Sequence, residues 1–312
     1  MNGLPQEEGI AKPARRPALG VALVLTAGVS WGFLGIFVRF LNEAGLGALD
    51  VCAMRSIGAA VILAAGLLAS GQGRLLRIRR RDIWCFAGAG LGSITAFNCC
   101  YFSTLRHTSI GVAVILLYTS PVFVALMSRL FFKERFTRWK CLALILMLGG
   151  CVLISGICTP GGAGAIAPLW LAMGLASGLC YALYSIFGRL AQERGYPPLT
   201  ITAWAFLFAA LGGLFIADWS NMGAVLKAHP AVLLPWLGLV LVSTILSYST
   251  YTASLRHLET STAAVLVSVE PAVATLTGIV AFGERLTLMS LAGMLLILAA
   301  TLTLNHRSSQ SQ

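Results

Sequence analysis

Ten long apolar runs, separated by short loops, dominate this sequence of 312 residues. Each run is close to the length of about 20 apolar residues that a helix needs to cross a bilayer. Because 58% of the residues are hydrophobic and only 11% are charged, we exclude both a water-soluble globular protein and a disordered chain. The sequence therefore predicts an all-α polytopic membrane protein with ten transmembrane helices, at 18–40, 47–70, 83–104, 109–132, 139–158, 166–188, 198–217, 231–254, 260–283 and 286–305.

Lysine and arginine are distributed unequally between the loops. With the N-terminus in the cytoplasm, the inner loops and tails receive 17 of the 22 basic residues, the outer loops receive four, and Arg55 lies inside a span. Such an excess marks the cytoplasmic side of a membrane protein. We therefore expect cytoplasmic tails at 1–17 and 306–312. The first apolar run continues through Trp31 without a cleavage site, so we expect a retained helix and not a signal peptide.

The sequence repeats itself at a constant offset of 150 residues. The segment Tyr101–His107 aligns without a gap with Tyr251–His257, and 12 of the 37 positions from 101 to 137 are identical to their counterparts. Matched charges at one offset argue against chance similarity between apolar segments. A second block has the same offset and pairs Ile36, Phe37, Arg39, Glu43 and Gly45 with Ile186, Phe187, Arg189, Glu193 and Gly195.

The repeat divides the chain into two halves, at 18–158 and 166–305. Corresponding helices are five spans apart, and an odd number of crossings reverses the direction of a helix in the membrane. The two halves are therefore predicted to be inverted relative to each other, around a central cavity. Inverted repeats of this kind are typical of secondary transporters, in which the two halves expose a site near the membrane midplane alternately to either side.

These features resemble the EamA-type transporters of the drug/metabolite transporter superfamily. The resemblance is carried by the two five-helix halves, by Arg55 in the second span, and by Pro121…Phe132-Lys-Glu134-Arg135 with its echo Glu270-Pro271…Phe282-Gly-Glu284-Arg285. It implies a ten-helix basket around a cavity in the bacterial inner membrane. It also implies an exporter of amino acids or related small metabolites that works by alternating access and needs no cofactor.

Two ionisable side chains lie deep inside predicted spans, and a charge at that depth is costly unless it has a partner or a cavity. Arg55 lies about 12 Å from the outer start of its helix, and Glu270 about 15 Å from the inner start of its own, at 1.5 Å per residue. Three roles are open at this point. The two groups form a structural ion pair, they bind the carboxylate or amine of a substrate, or Glu270 exchanges a proton that is coupled to transport.

Further candidates lie on the same helices. Pro121 and Pro271 interrupt corresponding spans, and paired interruptions of this kind point to a transporter binding site; a plain helix kink is the alternative. Tyr101 and Tyr251 end their spans, which favours an interfacial aromatic belt. The candidate substrate-binding residues are Trp31, Arg55, Asn98, Tyr118, Tyr181, Tyr184, Tyr248 and Glu270.

The main alternatives to a transporter are an intramembrane enzyme and a ten-helix channel or receptor. The sequence contains no H-E-x-x-H zinc motif, no G-x-S-x-G elbow and no Walker A motif. The eight cysteines lack C-x-x-C spacing and are interpreted as reduced, buried thiols, with no metal site. As partners we expect a small-molecule substrate and the lipid bilayer, and no nucleic acid, and we leave room for a homodimer.

Overall fold

Helices make up almost all of the chain that the computed structural model describes, which is residues 16–155, 167–283 and 287–308. No strand occurs within these ranges, so the all-α prediction is confirmed for them. Residues 1–15 of the predicted tail at 1–17, residues 309–312 of the predicted tail at 306–312, Cys158 and the Glu284–Arg285 pair lie outside the described residues.

Eight helices are long and apolar enough to cross a membrane, judged by length and composition. They are α1 (Pro17–Glu43), α2 (Ala48–Ala69), α3 (Arg80–His107), α4 (Gly111–Phe132), α6 (Pro168–Glu193), α7 (Pro198–Ile216), α8 (Pro230–Ser254) and α9 (Thr260–Phe282). Two further apolar helices end the two halves, α5 (Arg138–Ile154) and α10 (Leu288–Ser308). A short helix, Trp219–Ala228, connects α7 to α8.

Besides α1, which has a break at Phe33, four of the long helices are irregular, and these four form two corresponding pairs. A π-helical stretch occupies Gly88–Thr95 of α3 and Leu241–Leu246 of α8. The helix α4 is interrupted at Tyr118 and Thr119. The helix α9 changes to a 3-10 turn over Val267–Val269. Pro121 and Pro271 follow these interruptions at the first turn of the next segment, where a missing backbone N–H costs little.

The same local features recur at the offset of 150 residues. The backbone takes a positive φ at Gly45 (100°) and Gly195 (88°), each just after the end of a helix. Arg39 pairs with Glu43 at 3.2 Å, and Arg189 pairs with Glu193 at 3.3 Å. The repeat in the sequence is therefore also a repeat in the local structure.

The principal helix contacts join one half of the chain to the other. The helices pack as α2 on α7, α5 on α10, α3 on α6, α1 on α8, and α1 and α4 on α9. Small residues make these approaches close. A Cβ on Gly28 of α1 would lie 2.9 Å from the Val267 carbonyl oxygen of the interrupted α9, and one on Gly178 of α6 would lie 2.9 Å from the Leu116 carbonyl oxygen of α4.

Three pairs of glycines in the sequence are spaced four residues apart, a spacing that lets helices approach closely, and five of these six glycines make such contacts. Gly28, Gly32, Gly88, Gly174 and Gly178 each contact another helix so closely that a Cβ would collide, whereas Gly92 faces open space. These contacts hold the interrupted parts of α4 and α9 against α6 and α1, in the middle of the bundle.

Candidate functional site

A cavity with two compartments lies between the interrupted helices. The first compartment is aromatic and is lined by Trp31, Ser93, Ile94, Phe97, Tyr181, Tyr184, Ser185, Tyr248 and Tyr251. The second is lined by Tyr118, Ser120, Pro121, Val124, Tyr181, Ser185, Tyr251, Ala264, Val267, Ser268 and Glu270. The two compartments share one wall, which is formed by Tyr181, Ser185 and Tyr251. Both halves of the chain contribute to each compartment.

Aromatic rings packed edge to face build the first compartment. The ring of Tyr248 lies 4.9 Å from Trp31, 4.9 Å from Tyr184 and 4.8 Å from Phe206 between centroids, with interplanar angles between 85° and 88°. This edge-to-face geometry is the favourable one for aromatic pairs. The first compartment is thus a rigid, uncharged surface, and hydroxyl groups are its main polar features.

The second compartment contains one formally charged side chain, Glu270. This residue begins the helical segment that follows the 3-10 turn of α9, so the interruption directs it toward the cavity. Its carboxylate interacts electrostatically with the phenol groups of Tyr118 and Tyr181. The position that corresponds to Glu270 in the first half is Ser120, which lines the same compartment.

Arg55 lies outside both compartments. Its side chain is buried, with 6% relative exposure, and its Nε has no hydrogen-bond partner. Arg55 interacts electrostatically with Glu270, but no ion pair with an N–O distance of 4.0 Å or less joins the two among the described residues. A direct ion pair, one of the roles open from the sequence, is therefore absent from this conformation.

Asn98 also lies outside the cavity lining. Its amide donates to the Ile94 carbonyl oxygen at 2.8 Å and its side-chain oxygen accepts from the Cys52 thiol at 3.2 Å. Both polar ends of this buried side chain are thus used inside the protein. The other candidates from the sequence, Trp31, Tyr118, Tyr181, Tyr184, Tyr248 and Glu270, all line the cavity.

The interpretation of Tyr251 as part of an interfacial belt is wrong. Its side chain is 3% exposed, lines both compartments, and shares a hydrogen bond of 2.7 Å with Ser185. Sequence reasoning also missed Ser93, Phe97 and Ser185 as lining residues. For Ser185 the sequence offered one signal, because this residue lies one helical turn beyond Tyr181 and thus on the same face of the helix.

Polar contacts close one end of the cavity, between α6 and α8. The hydroxyl groups of Tyr184 and Thr252 lie 2.9 Å apart, next to the Ser185–Tyr251 bond. One turn further along, Arg189 donates to the Leu255 carbonyl oxygen and Gln192 donates to that of Thr252. We call this set of contacts the α6–α8 clasp.

A buried ionic cluster joins α5 and the end of α4 to the start of α9. The Glu134 carboxylate accepts hydrogen bonds from the Thr260 and Ser261 N–H groups at 2.7 and 3.1 Å, and so caps α9. Lys140 lies 2.5 Å from Glu259 and donates to the Ser261 hydroxyl at 2.8 Å. Glu134 therefore connects the end of α4 in the first half to the start of α9 in the second half.

Seven of the eight cysteines are described, and all seven are free thiols. Within the described ranges, no group of three or more His, Cys, Asp or Glu side chains has the arrangement of a metal site. The main polar groups that line the cavity are the hydroxyls of its tyrosine and serine residues and the Glu270 carboxylate.

Comparison with known proteins gives a consistent result. The model of the EamA-like transporter family matches residues 18–156 and, a second time, residues 168–305. The chain is 25% identical over 302 residues to a Bacillus subtilis (strain 168) protein named uncharacterized transporter YxxF, which covers 96% of this chain and 93% of the relative. It is 31% identical over 223 residues to the threonine/homoserine exporter RhtA of Escherichia coli (strain K12), over 70% of this chain and 68% of the relative.

A solved crystal structure has the same fold. It superimposes with a TM-score of 0.78 at 17% sequence identity, and the match covers 95% of this chain and 100% of that one.

Proposed function

We propose that this chain is a secondary transporter that exports small molecules by alternating access. The chain belongs to the EamA-like transporter family, and it is therefore a multi-pass membrane transporter and not an enzyme. The proposed cargo is an amino acid or a related small metabolite. The proposed location is the bacterial inner membrane, with both termini in the cytoplasm. We further propose ten spans, with α5 and α10 crossing the bilayer together with the eight longer helices.

One observation carries this proposal: the two halves of a 150-residue repeat enclose a single cavity and contribute equivalent positions to it. Trp31 and Tyr181 correspond to each other, as do Ser120 and Glu270, and all four line the cavity. If each half crosses the membrane five times, the halves are inverted, as in other secondary transporters. The division of basic residues, 17 inner and four outer with Arg55 in a span, supports the same orientation.

The cavity residues then have distinct roles. Trp31, Tyr181, Tyr184 and Tyr248 surround the substrate, while Tyr118 and Glu270 bind its polar end. Pro121 and Pro271 fix the interruptions that free this space. Arg55 acts on the site through its charge, and Asn98 through its contact with Cys52 beside Arg55. The movable parts are the α6–α8 clasp at one end and the corresponding α1–α3 pair at the other, which open in turn.

Transport is tested with purified protein in proteoliposomes. Vesicles loaded with pools of amino acids, nucleosides and amines should accumulate a labelled member of one pool by counterflow, and the flux should saturate with substrate concentration. Vesicles without protein provide the control. An ohmic current without saturation would instead indicate a channel, and failure of every pool would overturn the proposed cargo.

The orientation has its own test in reporter fusions. Fusions after Gly47 and Lys227 should report the periplasm, and fusions after Gln72 and Arg138 should report the cytoplasm. An odd number of spans in this map would remove the basis for inverted halves.

A further inference from the structure

Acidic and basic side chains are not equally represented among the residues that line the cavity. Of the residues that line the two compartments, Glu270 is the one with a formal charge, and every other one is aromatic, aliphatic or hydroxyl-bearing. Within the part of the chain that the structure describes, no lysine, arginine or histidine lines either compartment. A binding site of this composition offers a counter-charge for a cation and offers none for an anion.

The backbone does not supply an anion site either. The N-terminal ends of interrupted helices can bind anionic groups through free N–H groups and the helix dipole. In α4, however, the Val122 and Phe123 N–H groups donate to the Thr119 carbonyl oxygen at 3.0 and 3.3 Å. In α9, the first turn itself carries the acidic side chain of Glu270, whose negative charge disfavours an anion at that helix end. Arg55, the nearest arginine, is buried and lies outside both compartments.

The tyrosines add to the preference for a cation. Tyr118 and Tyr181 line the compartment that contains Glu270, and the face of an aromatic ring attracts an ammonium group. Trp31, Tyr184 and Tyr248 make the neighbouring compartment apolar and uncharged. The shared wall places the carboxylate and the phenol rings of one compartment next to the apolar aromatic surface of the other.

We propose that the substrate is an organic amine, recognised by its ammonium group at Glu270 and by an apolar body among the aromatic rings, and that the site does not bind a carboxylate. This inference rests on the proposed transport function and narrows its substrate class. Among amino acids and related metabolites, it selects molecules whose carboxylate is missing or blocked.

The test compares three ligands that share one phenyl body and differ in charge: 2-phenylethylamine, L-phenylalanine and 3-phenylpropionate. Binding to the purified full-length protein in detergent is measured by calorimetry at pH 7. We expect the amine to bind about tenfold or more tightly than the zwitterion, because the carboxylate of the zwitterion would lose water without gaining a partner, and we expect no binding of the anion. Equal or tighter binding of L-phenylalanine would overturn the inference and assign a carboxylate-binding role to Arg55.

Two variants test whether the Glu270 carboxylate is responsible for amine binding. Glu270→Gln keeps the shape of the side chain but removes its charge, so the amine should bind about tenfold or more weakly. Glu43→Gln removes an exposed carboxylate far from the cavity and should leave amine binding unchanged. Unchanged amine binding by a folded Glu270→Gln protein would place the ammonium elsewhere and sink the proposal.

The proposed transport function and the proposed preference for amines can be contradicted independently of each other. Counterflow uses phenyltrimethylammonium, a permanently charged probe that does not cross the bilayer as a neutral amine. Selective binding without counterflow would contradict the proposed transport function and leave the cation site standing. Counterflow of amino acids that phenyltrimethylammonium does not inhibit would contradict the cation site and leave transport standing.

Discussion

The two ends of the cavity are built from corresponding helices but differ in how firmly they are closed. At the α6–α8 end, Ser185 and Tyr251 share a hydrogen bond of 2.7 Å. The corresponding positions at the α1–α3 end are Gly35 and Tyr101, and Gly35 has no side chain with which to form that bond. A Cβ added to Gly35 would meet no atom within 4 Å. The α6–α8 end is thus joined by side-chain hydrogen bonds that the α1–α3 end lacks at the corresponding positions.

The same contrast extends to the other positions of the clasp. Tyr184 and Thr252 correspond to Leu34 and Phe102, which cannot form hydrogen bonds through their side chains. Arg189 reaches the Leu255 carbonyl oxygen, whereas Arg39 lies over the ring of Phe282 at 4.0 Å. A repeated fold therefore does not imply equal stability of its two ends. A few polar residues in one copy supply the contacts that distinguish the two ends.

The largest expected effect comes from the ionic cluster, because Lys140 has no charged counterpart in the other half, where Ser290 occupies its position. Lys140→Ala should lower the free energy of unfolding by about 3–5 kcal/mol, since it leaves Glu134 and Glu259 without their cation. Denaturant titration in detergent measures the change. The matched variant Ser290→Ala should stay within about 0.5 kcal/mol of wild type. Equal effects of the two would mean that the halves do not differ here.

The clasp itself is tested by removing one hydroxyl from each end. Tyr251→Phe leaves the Ser185 hydroxyl without its partner, which should cost about 1–3 kcal/mol and raise hydrogen exchange at the end of α8. Tyr101→Phe makes the same chemical change at the corresponding position of α3, where Gly35 offers no hydroxyl, and should leave that exchange unchanged. If both variants exchange alike, the Ser185–Tyr251 bond is not what holds the end closed.

A smaller gain should follow from building the missing contact. Gly35→Ser introduces a hydroxyl at the position that corresponds to Ser185 and should favour contact of α1 with Tyr101 of α3 by about 0.5–1.5 kcal/mol. Exchange should slow at the end of α3 and rise at the end of α8. Gly35→Ala is the control, because it shares the gain in helix propensity but has no hydroxyl. Identical exchange in the two variants would remove the hydroxyl from the explanation.

The smallest expected effect depends on pH. Burial, together with the charges of Arg256 and Arg16, lowers the pKa of His257, whose neutral Nδ1 accepts a hydrogen bond from the Arg16 N–H at the start of α1. The unfolded chain then binds the proton more readily, so this stabilisation is complete above about pH 6.5 and declines as the pH falls below that value. His257→Gln should flatten the dependence of Tm on pH below 6.5. The corresponding variant His107→Gln is the comparison, and an unaltered pH dependence in His257→Gln would contradict the prediction.

Most of the helix boundaries could be predicted from the sequence, and six of the eight candidate substrate-binding residues line the cavity, but these six are a minority of the residues that line it. Periodicity and repeat position identify Trp31 and Tyr181 as corresponding residues deep in the bundle. The relation between Arg55 and Glu270 could not be predicted, because the sequence gives depth along a helix but not which way each helix is turned. Asn98 was misassigned for a local reason, since its partner Ile94 is on its own helix. The π-helical stretches have no sequence signal comparable to proline.

The interleaved packing of the two halves has a consequence for how the protein is made. The partners of α1, α2 and α3 are α8, α7 and α6, and each partner begins at least about 60 residues after the earlier helix ends (α3 ends at His107 and α6 begins at Pro168). At a synthesis rate of about 5–20 residues per second, the ribosome needs about 8–30 seconds to deliver the second set of 150 residues. During that interval the helices of the first half lack the partners that cover their inner faces, including the face that carries Arg55. Translation order thus sets a vulnerable stage in biogenesis, and it ends only when the last helices arrive.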